Sequence, residues 1–532
     1  MHTSDYQTLG QTRTSSDHFL SIRRFRWLCV APAVLSVAGC LGYVIDFFDN
    51  NENMYVASGV LAKTQTLYRD FAFVQTPFVP LFYAAVYRGS STIHYLLTAK
   101  VVTWVLWVVS GILIFSIGRK VAGDVAGAVT VTLYVTNPSL LRSVAECSNY
   151  IAPIPFALLA ILLVLPRCDS LPTKKLYWYF AGIAIGISIL AKLYLLILVP
   201  AFVLAVLCEP ESHPAANSLQ RLAHLALGIL SGVSPAIWYL VRYPRQFVFD
   251  NFWYHRTTTK LLLSRTIPAR LPNHGLQENV PYIVEHLTSG PSLCLFIGIS
   301  LLIVTILASP GALRRLKRDP LTYVAALTAA ASLLGVAVDM FMVPCWPQYL
   351  SLPVPFLLVL FVVLWKWANV QRERFLHASM AVLAFWAVAG SSTEFYRGLR
   401  SLAHINESIA FRIHAQSEQI RKIIPPAYRQ RKVWTLQPVY AVESSLPIYP
   451  QLATGIFTYQ IGDAISSAER KSFVISSPRT VENTLSEDPP SAIVVGSYGE
   501  YHEGPLVQYA QSHGYKPHQI TPGLITYLAP DM

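Results

Sequence analysis

"DNNENMYVASGVLAKTQTLYRDFAFVQTPFVPLFY", residues 49–83, decides how this chain is read. It follows directly on an apolar run at 27–46 and opens with Asp49, Asn50, Asn51 and Glu52 in consecutive positions. A loop leaving a membrane is polar simply because water is there. Ionisable groups held at membrane depth, by contrast, tend to serve function. Carboxylates also suit a helix N-terminus, where free N–H groups and the helix dipole favour anions. Capping accounts for one acid. Asp46, Asp49 and Glu52 at a single boundary ask for more.

Outward from this stretch the composition is that of a membrane protein. Of 532 residues, 53% are hydrophobic and only 13% charged, against about a quarter charged in an average soluble domain. Apolar runs recur at 27–46, 93–117, 121–141, 149–166, 176–191, 193–208, 220–241, 290–308, 321–341, 347–365 and 376–392. A bilayer core of about 30 Å needs roughly 20 residues of helix, so the short run 77–88 does not cross. The net charge of +12 comes from clusters between runs, the pattern of a topology signal rather than of nucleic-acid binding. No GxxxxGK or strand-borne GxGxxG motif is present, and the seven cysteines include no CxxC pair. No nucleic acid, thiolate metal site or disulfide framework is expected.

Charge also sets the topology. With 77–88 outside the count, Arg23/Arg24/Arg26, Arg119/Lys120, Arg167/Lys174/Lys175, Arg314/Arg315/Lys317/Arg318 and Lys366/Arg372/Arg374 all fall on one side. The reading is a polytopic α-helical membrane protein with about eleven crossings, N-terminus inside and C-terminus outside. Residues 1–26 form a disordered, basic cytoplasmic N-terminus, and the first run is a retained helix rather than a signal peptide. The transmembrane domain is 27–392, with outside loops at 47–92, 142–148 and 242–289. From 393 to 532 a small α/β domain follows outside. It opens on a helix with Ile409, Ile413, Ile420 and Ile424 at helical spacing, stopped by Pro425 and Pro426. Strands are expected at 432–437, 472–476, 492–496 and 524–528, and a helix at 504–515.

The outside loops carry the candidate chemistry. Val56, Val60, Leu61 and Leu67 lie near one face of a helix from Glu52 to Leu67, which predicts an amphipathic helix in the membrane interface. Arg69 neighbours Asp70, a pair that is either self-satisfied or functional, and Gln75 begins the short apolar run. The second loop, "RSVAECS" at 142–148, carries Glu146, with Asn149 just beyond. Acids in two outside loops can form one cleft for acid–base work. Lys192, between two apolar runs, either reaches toward lipid headgroups or holds the phosphate of a lipid substrate. The long loop carries His255 and Arg256 among several basic residues, suited to a phosphate-bearing ligand or to anionic headgroups. "CWPQYLSLPVPF" at 345–356 presents Gln348 and Tyr349 to the same side. Tyr349 and Trp346 also fit the aromatic belt of a membrane interface.

Taken together, the 49–83 stretch, "NPSLLRSVAECSNYIAPIPF", "GIAIGISILAKLYLL", "WPQYLSLPVPF" and "PVYAVESSLPIYPQLATGIFTY" resemble the GT-C membrane glycosyltransferases. The resemblance is to the bacterial branch related to protein mannosyltransferases and the lipid A aminoarabinose transferase, and it covers most of the chain. It implies a GT-C-like fold and transfer of a sugar from a polyprenyl-phosphate carrier to a lipid, polysaccharide or protein acceptor outside the cytoplasm. It places the enzyme in a bacterial inner membrane, with membrane lipids around it. The general base would be an acid of the first outside loop, with inversion at the sugar carbon. Family members show Asp then Glu where this chain has Asn51 and Glu52, so the base falls to Glu52 or Asp49. A family Asp likewise falls at Asn149, leaving Glu146 as that loop's acid. Asp70, Gln75, Glu146, Asn149, Lys192, His255, Arg256, Gln348 and Tyr349 would line the substrate site. No cofactor or metal site is expected, although a divalent cation stays open. The rival readings are a transporter or flippase of lipid-linked sugars and a receptor-like scaffold.

Overall fold

The computed structural model describes residues 35–166, 174–208, 215–264, 266, 275–309, 311, 314, 316, 319–368, 373–496 and 498–532. The expectations for residues 1–26, for the start of the first run, and for the basic residues Arg167, Arg315, Lys317, Arg318 and Arg372 lie outside the described residues.

Each apolar run expected to cross carries an apolar helix. In chain order the helices are α1 (Leu35–Ile45), α2 (Asn50–Leu61), α3 (Phe78–Ser90), α4 (Tyr95–Ala122), α5 (Asp124–Val135), α6 (Pro138–Ala145), α7 (Ile154–Val164), α8 (Lys174–Ala191), α9 (Leu198–Cys208) and α10 (Ala215–Arg242). There follow α11 (Pro244–Val248), α12 (Tyr254–Leu263), α13 (Leu276–Thr288), α14 (Gly290–Leu307), α15 (Thr322–Phe341), α16 (Val354–Ala368), α17 (Glu373–Gly390), α18 (Ser392–Ala403), α19 (Ile409–Ile423) and α20 (Pro438–Glu443). Among the described residues, five helices are long and apolar enough to cross, and a sixth is added if α17 and α18, bent by 51°, count as one. The other runs form apolar helices of 10–17 residues. α3 has 13 residues and belongs with none of these. Val101, Val105, Val109 and Ile112 form an exposed stripe down α4. Spacing of three and four residues puts them on one face, and such a face is stable in lipid rather than in water.

Two glycine contacts set helix positions that hydrophobicity does not. Gly182 and Gly186 on α8 cross Gly228 and Gly232 on α10 with the backbones touching. A Cβ at Gly228 would stand 2.1 Å from the Tyr179 carbonyl oxygen, and one at Gly186 would stand 2.5 Å from that of Ile229. Close approach through small residues is how helices associate in lipid, where apolar surface alone gives no preference for a protein neighbour. Likewise Gly42 of α1 meets Gly398 of α18, where a Cβ would stand 1.8 Å from the Gly398 oxygen. Just beyond this contact, Asp46 accepts hydrogen bonds from Ser401 Oγ at 2.9 Å and from the Ile409 N–H at 3.1 Å. Asp46 thus ties the end of α1 to the start of α19.

The expected interfacial helix is corrected in length and in setting. α2 ends at Leu61, and every residue from Glu52 to Leu61 except Val60 is buried. Its apolar residues join one core with Leu67–Val74, Ile413, Val433 and Val439. The physical reason is that the C-terminal region covers the face that would otherwise meet lipid. Val439 N–H, for example, lies 3.4 Å from Asn53 Oδ1.

The C-terminal sheet has the order β1-β2-β4-β3, comprising β1 (Val433–Thr435), β2 (Ala492–Val495), β3 (Lys516–Thr521) and β4 (Leu524–Leu528). β1 runs parallel to β2, with Trp434 opposite Ile493, and the other pairings are antiparallel. The strand expected at 472–476 is not one. A capping box between Ser466 and Glu469 starts the helix Ser467–Phe473, and Phe473 stacks on Phe249 of the long loop at 4.0 Å. That apolar run serves a contact between regions, and the fourth strand is Lys516–Thr521. The helix expected at 504–515 spans Gly499–Ser512.

Candidate active site

Asp49 is the N-cap of α2. Its Oδ1 accepts the Asn50 N–H at 2.6 Å, and Glu52 Oε2 accepts the Asp49 N–H to complete a capping box. Glu52 Oε1 pairs with Lys100 Nζ at 2.5 Å, and both side chains are 0% exposed. Lys100 also donates to the Ala145 carbonyl at 3.0 Å. Both Glu52 oxygens are therefore committed inside the protein. Burial pushes its carboxyl up to about 8 against the opposing pull of Lys100.

Arg142, on α6, links two loops. Its Nη2 stands 2.7 Å from Asp49 Oδ2 and its Nε 2.9 Å from Glu146 Oε1. Glu146 Oε2 accepts from Asn51 Nδ2 at 3.1 Å. Glu146 is also 0% exposed, whereas Asp49 keeps 31% of its side chain accessible. Burial, with the Asp49 charge nearby, raises the Glu146 carboxyl to about 7, while Arg142 and Asn51 pull it down. Of Asp49, Glu52 and Glu146, Asp49 is the one a ligand can reach.

Three residues beyond Glu146 a second cluster begins. Asn149 Nδ2 donates to Gln75 Oε1 at 3.1 Å, and Asn149 Oδ1 accepts from Lys192 Nζ at 3.0 Å. The Lys192 ammonium lies 3.6 Å from the Tyr150 ring centroid and 5.5 Å from that of Tyr349. The faces of aromatic rings attract a cation electrostatically. Lys192 sits at the break between α8 and a 3-10 turn at Leu193–Ile197, so it projects from a helix end. The Phe73–Gln75 strip is fixed from the long loop. Asp250 Oδ2 accepts the Phe73 N–H at 3.2 Å, and His255 Nε2 donates to the Val74 carbonyl at 3.1 Å.

The structure thus brings together Asp49, Glu52 and Glu146 in one cluster and Gln75, Asn149, Lys192 and Tyr349 in another, joined through 146–149. Gln348 is buried, and its carbonyl accepts from Ser351 Oγ at 2.7 Å. Asp70 forms a two-pronged pair with Arg69, at 2.7 and 2.8 Å, and accepts the Thr66 N–H. Arg256 lines a hollow of about 300 Å³ with Trp253, Lys260, Glu469 and Phe473. Among the described residues, no hydrogen bond links Arg256 to either cluster. Sequence reasoning passed over Arg142, Lys100 and Tyr150. Signals pointed to two of them: Arg142 stands four residues before Glu146, and Lys100 is a lone ion in an apolar run.

The apolar helices and the small C-terminal sheet define a class: this is a multi-pass membrane protein of the GT-C glycosyltransferase fold. Residues 76–239 match the family described as dolichyl-phosphate-mannose-protein mannosyltransferase. Among solved structures, the chain is similar to ArnT from Cupriavidus metallidurans bound to undecaprenyl phosphate, with TM-score 0.63 and 13% identity over 94% of this chain and 97% of that one. The apo state of the same ArnT gives TM-score 0.61 and 12% identity over 95% and 98%. The Archaeoglobus fulgidus oligosaccharyltransferase gives 0.47 and 12% over 93% and 73%. No curated protein sequence matches this chain significantly.

Proposed function

We propose that the chain is a glycosyltransferase. It takes a sugar from a polyprenyl-phosphate carrier and places it on an acceptor hydroxyl at the extracytoplasmic face of a bacterial inner membrane. The family match and the likeness to an ArnT bound to undecaprenyl phosphate support the donor class. One observation carries the chemistry. The Glu146–Asn149 segment holds an accessible carboxylate on one side, through Arg142 and Asp49, and a caged ammonium on the other, through Lys192.

In this reading Asp49 takes the proton of the acceptor hydroxyl as its oxygen attacks the sugar carbon. The new C–O bond forms as the bond to the carrier phosphate breaks, and the phosphate leaves with the electron pair. Attack opposite the leaving group inverts the sugar carbon. Lys192 meets the charge that develops on the phosphate, and a fixed ammonium in a water-poor site is effective at this. Glu52 keeps α2 in place, and Gln75 and Asn149 orient the ammonium.

The test is transfer by purified, reconstituted protein from a series of polyprenyl-phosphate sugars to envelope-derived acceptors. Asp49→Asn should lower kcat at least 1,000-fold with the protein still folded. Full activity in Asp49→Asn sinks the base assignment. Movement of lipid-linked sugar across the bilayer with no glycosidic bond formed sinks the transferase reading.

A further inference from the structure

We propose that His94, His414 and Glu443 form a zinc site that clamps the C-terminal region to the start of α4. The three residues come from segments far apart in sequence. His94 immediately precedes α4, His414 lies on α19, and Glu443 is the last residue of α20. One ligand atom from each lies within 4.8 Å of the others. The two imidazole centroids stand 3.8 Å apart, and His414 Nδ1 is 2.6 Å from Glu443 Oε2.

The surroundings are those of a built site. Glu443 is 1% exposed, and a buried carboxylate is costly unless paired or bound to a metal. Its other oxygen accepts the Leu96 N–H, the kind of outer contact that orients a ligand and leaves one oxygen free to coordinate. The His94 backbone is fixed on both sides, its N–H on Thr92 Oγ1 at 3.0 Å and its carbonyl on Thr98 Oγ1 at 2.8 Å. Two imidazoles this close, tilted by 36°, repel each other if both are charged, whereas two neutral rings can share one cation.

The donor set selects the ion. Two imidazoles and a carboxylate suit zinc, with water in the fourth position, while calcium and magnesium prefer all-oxygen shells. Zinc ligands at about 2.0–2.2 Å in tetrahedral geometry stand roughly 3.4 Å apart. His414 Nδ1 and Glu443 Oε2, now 2.6 Å apart, would open slightly to reach that spacing. Zinc displaces the proton between His414 and Glu443, so binding weakens as the pH falls.

The clamp has a consequence for the acid cluster. Leu96 lies one helical turn before Lys100, the partner of Glu52. α20 in turn contacts α2 through Val439 and Asn53. Zinc would close a ring of contacts through α4, α20 and α2, the helix that Asp49 caps.

The experiment uses full-length protein in detergent, stripped of metal and titrated with zinc chloride by calorimetry. Thermal unfolding with and without a chelator provides a second readout. One zinc per chain is expected. His94→Ala and His414→Ala should each weaken binding at least tenfold. Glu443→Gln, which keeps an acceptor for Leu96, should do the same while eluting as folded protein. A chelator should lower the Tm of the zinc-loaded wild type and leave that of His94→Ala unmoved. The proposal is overturned if the wild type shows no saturable zinc binding, or if the His94→Ala/His414→Ala double variant binds zinc as tightly as wild type.

Discussion

Arg142 Nη2 stands 2.7 Å from Asp49 Oδ2, and the two residues come from separate segments, 93 positions apart. Because Arg142 also holds Glu146, the guanidinium fixes the accessible carboxylate relative to the second loop. Its fork makes two directed contacts that an ammonium cannot copy. Arg142→Lys should therefore lower kcat about 10- to 100-fold, a loss of about 1.4–2.7 kcal/mol of transition-state stabilisation. KM for the carrier should stay nearly constant, since Lys192 lies in the other cluster. Steady-state transfer kinetics check this. A change confined to KM would mean that Arg142 binds substrate instead.

Glu52 and Lys100 form a buried pair with no exposed atoms. Removing one partner of such a pair strands the other, at a cost of about 3–5 kcal/mol, whereas removing both is far milder. Glu52→Gln and Lys100→Met should each lower thermal stability sharply. The double variant should recover most of that loss and keep measurable transfer. Unfolding midpoints for the four proteins test this. An inactive double variant with wild-type stability would return Glu52 to the catalytic role.

Much of this arrangement was legible in the sequence, and the limits follow from what spacing can encode. Apolar runs of bilayer length, separated by basic clusters, place the membrane helices because each run must satisfy lipid by itself. The isoleucines of 409–424 mark a helix face for the same local reason. Pairings across loops leave no such trace. Asn51 with Glu146, and Lys192 with Asn149, are set by tertiary packing. The helix opening at Asn50 reads as interfacial only while its apolar face is assigned to lipid. The C-terminal region takes that face instead, and one stretch of sequence does not show what covers it. "SFVIS" misled similarly, because a short apolar run serves a domain contact as well as a strand.

Glu146 should make stability depend on pH. Burial lifts its carboxyl from an ordinary 4.5 to about 7. Between those values the native state holds a proton that the unfolded chain has released, so stability falls as the pH rises. The contribution is complete below about 4.5 and is lost through about 7, at a size on the order of 3 kcal/mol. Wild-type unfolding midpoints should drop by a few degrees from pH 5 to pH 8. Glu146→Gln should remove part of that slope and leave a larger part to Glu52, whose carboxyl is raised further in the same sense, to about 8. An unchanged slope in Glu146→Gln would show that Glu146 is ionised throughout.

The crossing of α8 and α10 gives a prediction about folding alone. A Cβ at Gly228 would lie 2.1 Å from the Tyr179 oxygen and 2.9 Å from the Gly182 Cα. Both are backbone atoms of a packed helix, so no side-chain rotation relieves the contact and the helices must separate. Separation breaks the neighbouring contact at Gly186 and Gly232 as well. Lys192 stands just past the end of α8, so the displacement reaches the caged ammonium. Gly228→Ala should therefore lower the unfolding midpoint and raise KM for the carrier several-fold, even though alanine is the better helix former by about 1 kcal/mol. Gly89, on α3, is the control: an added Cβ there meets nothing within 4 Å. Gly89→Ala should hold or raise the midpoint and leave the kinetics unchanged. Equal behaviour of the two variants would mean that α8 and α10 do not touch through these glycines.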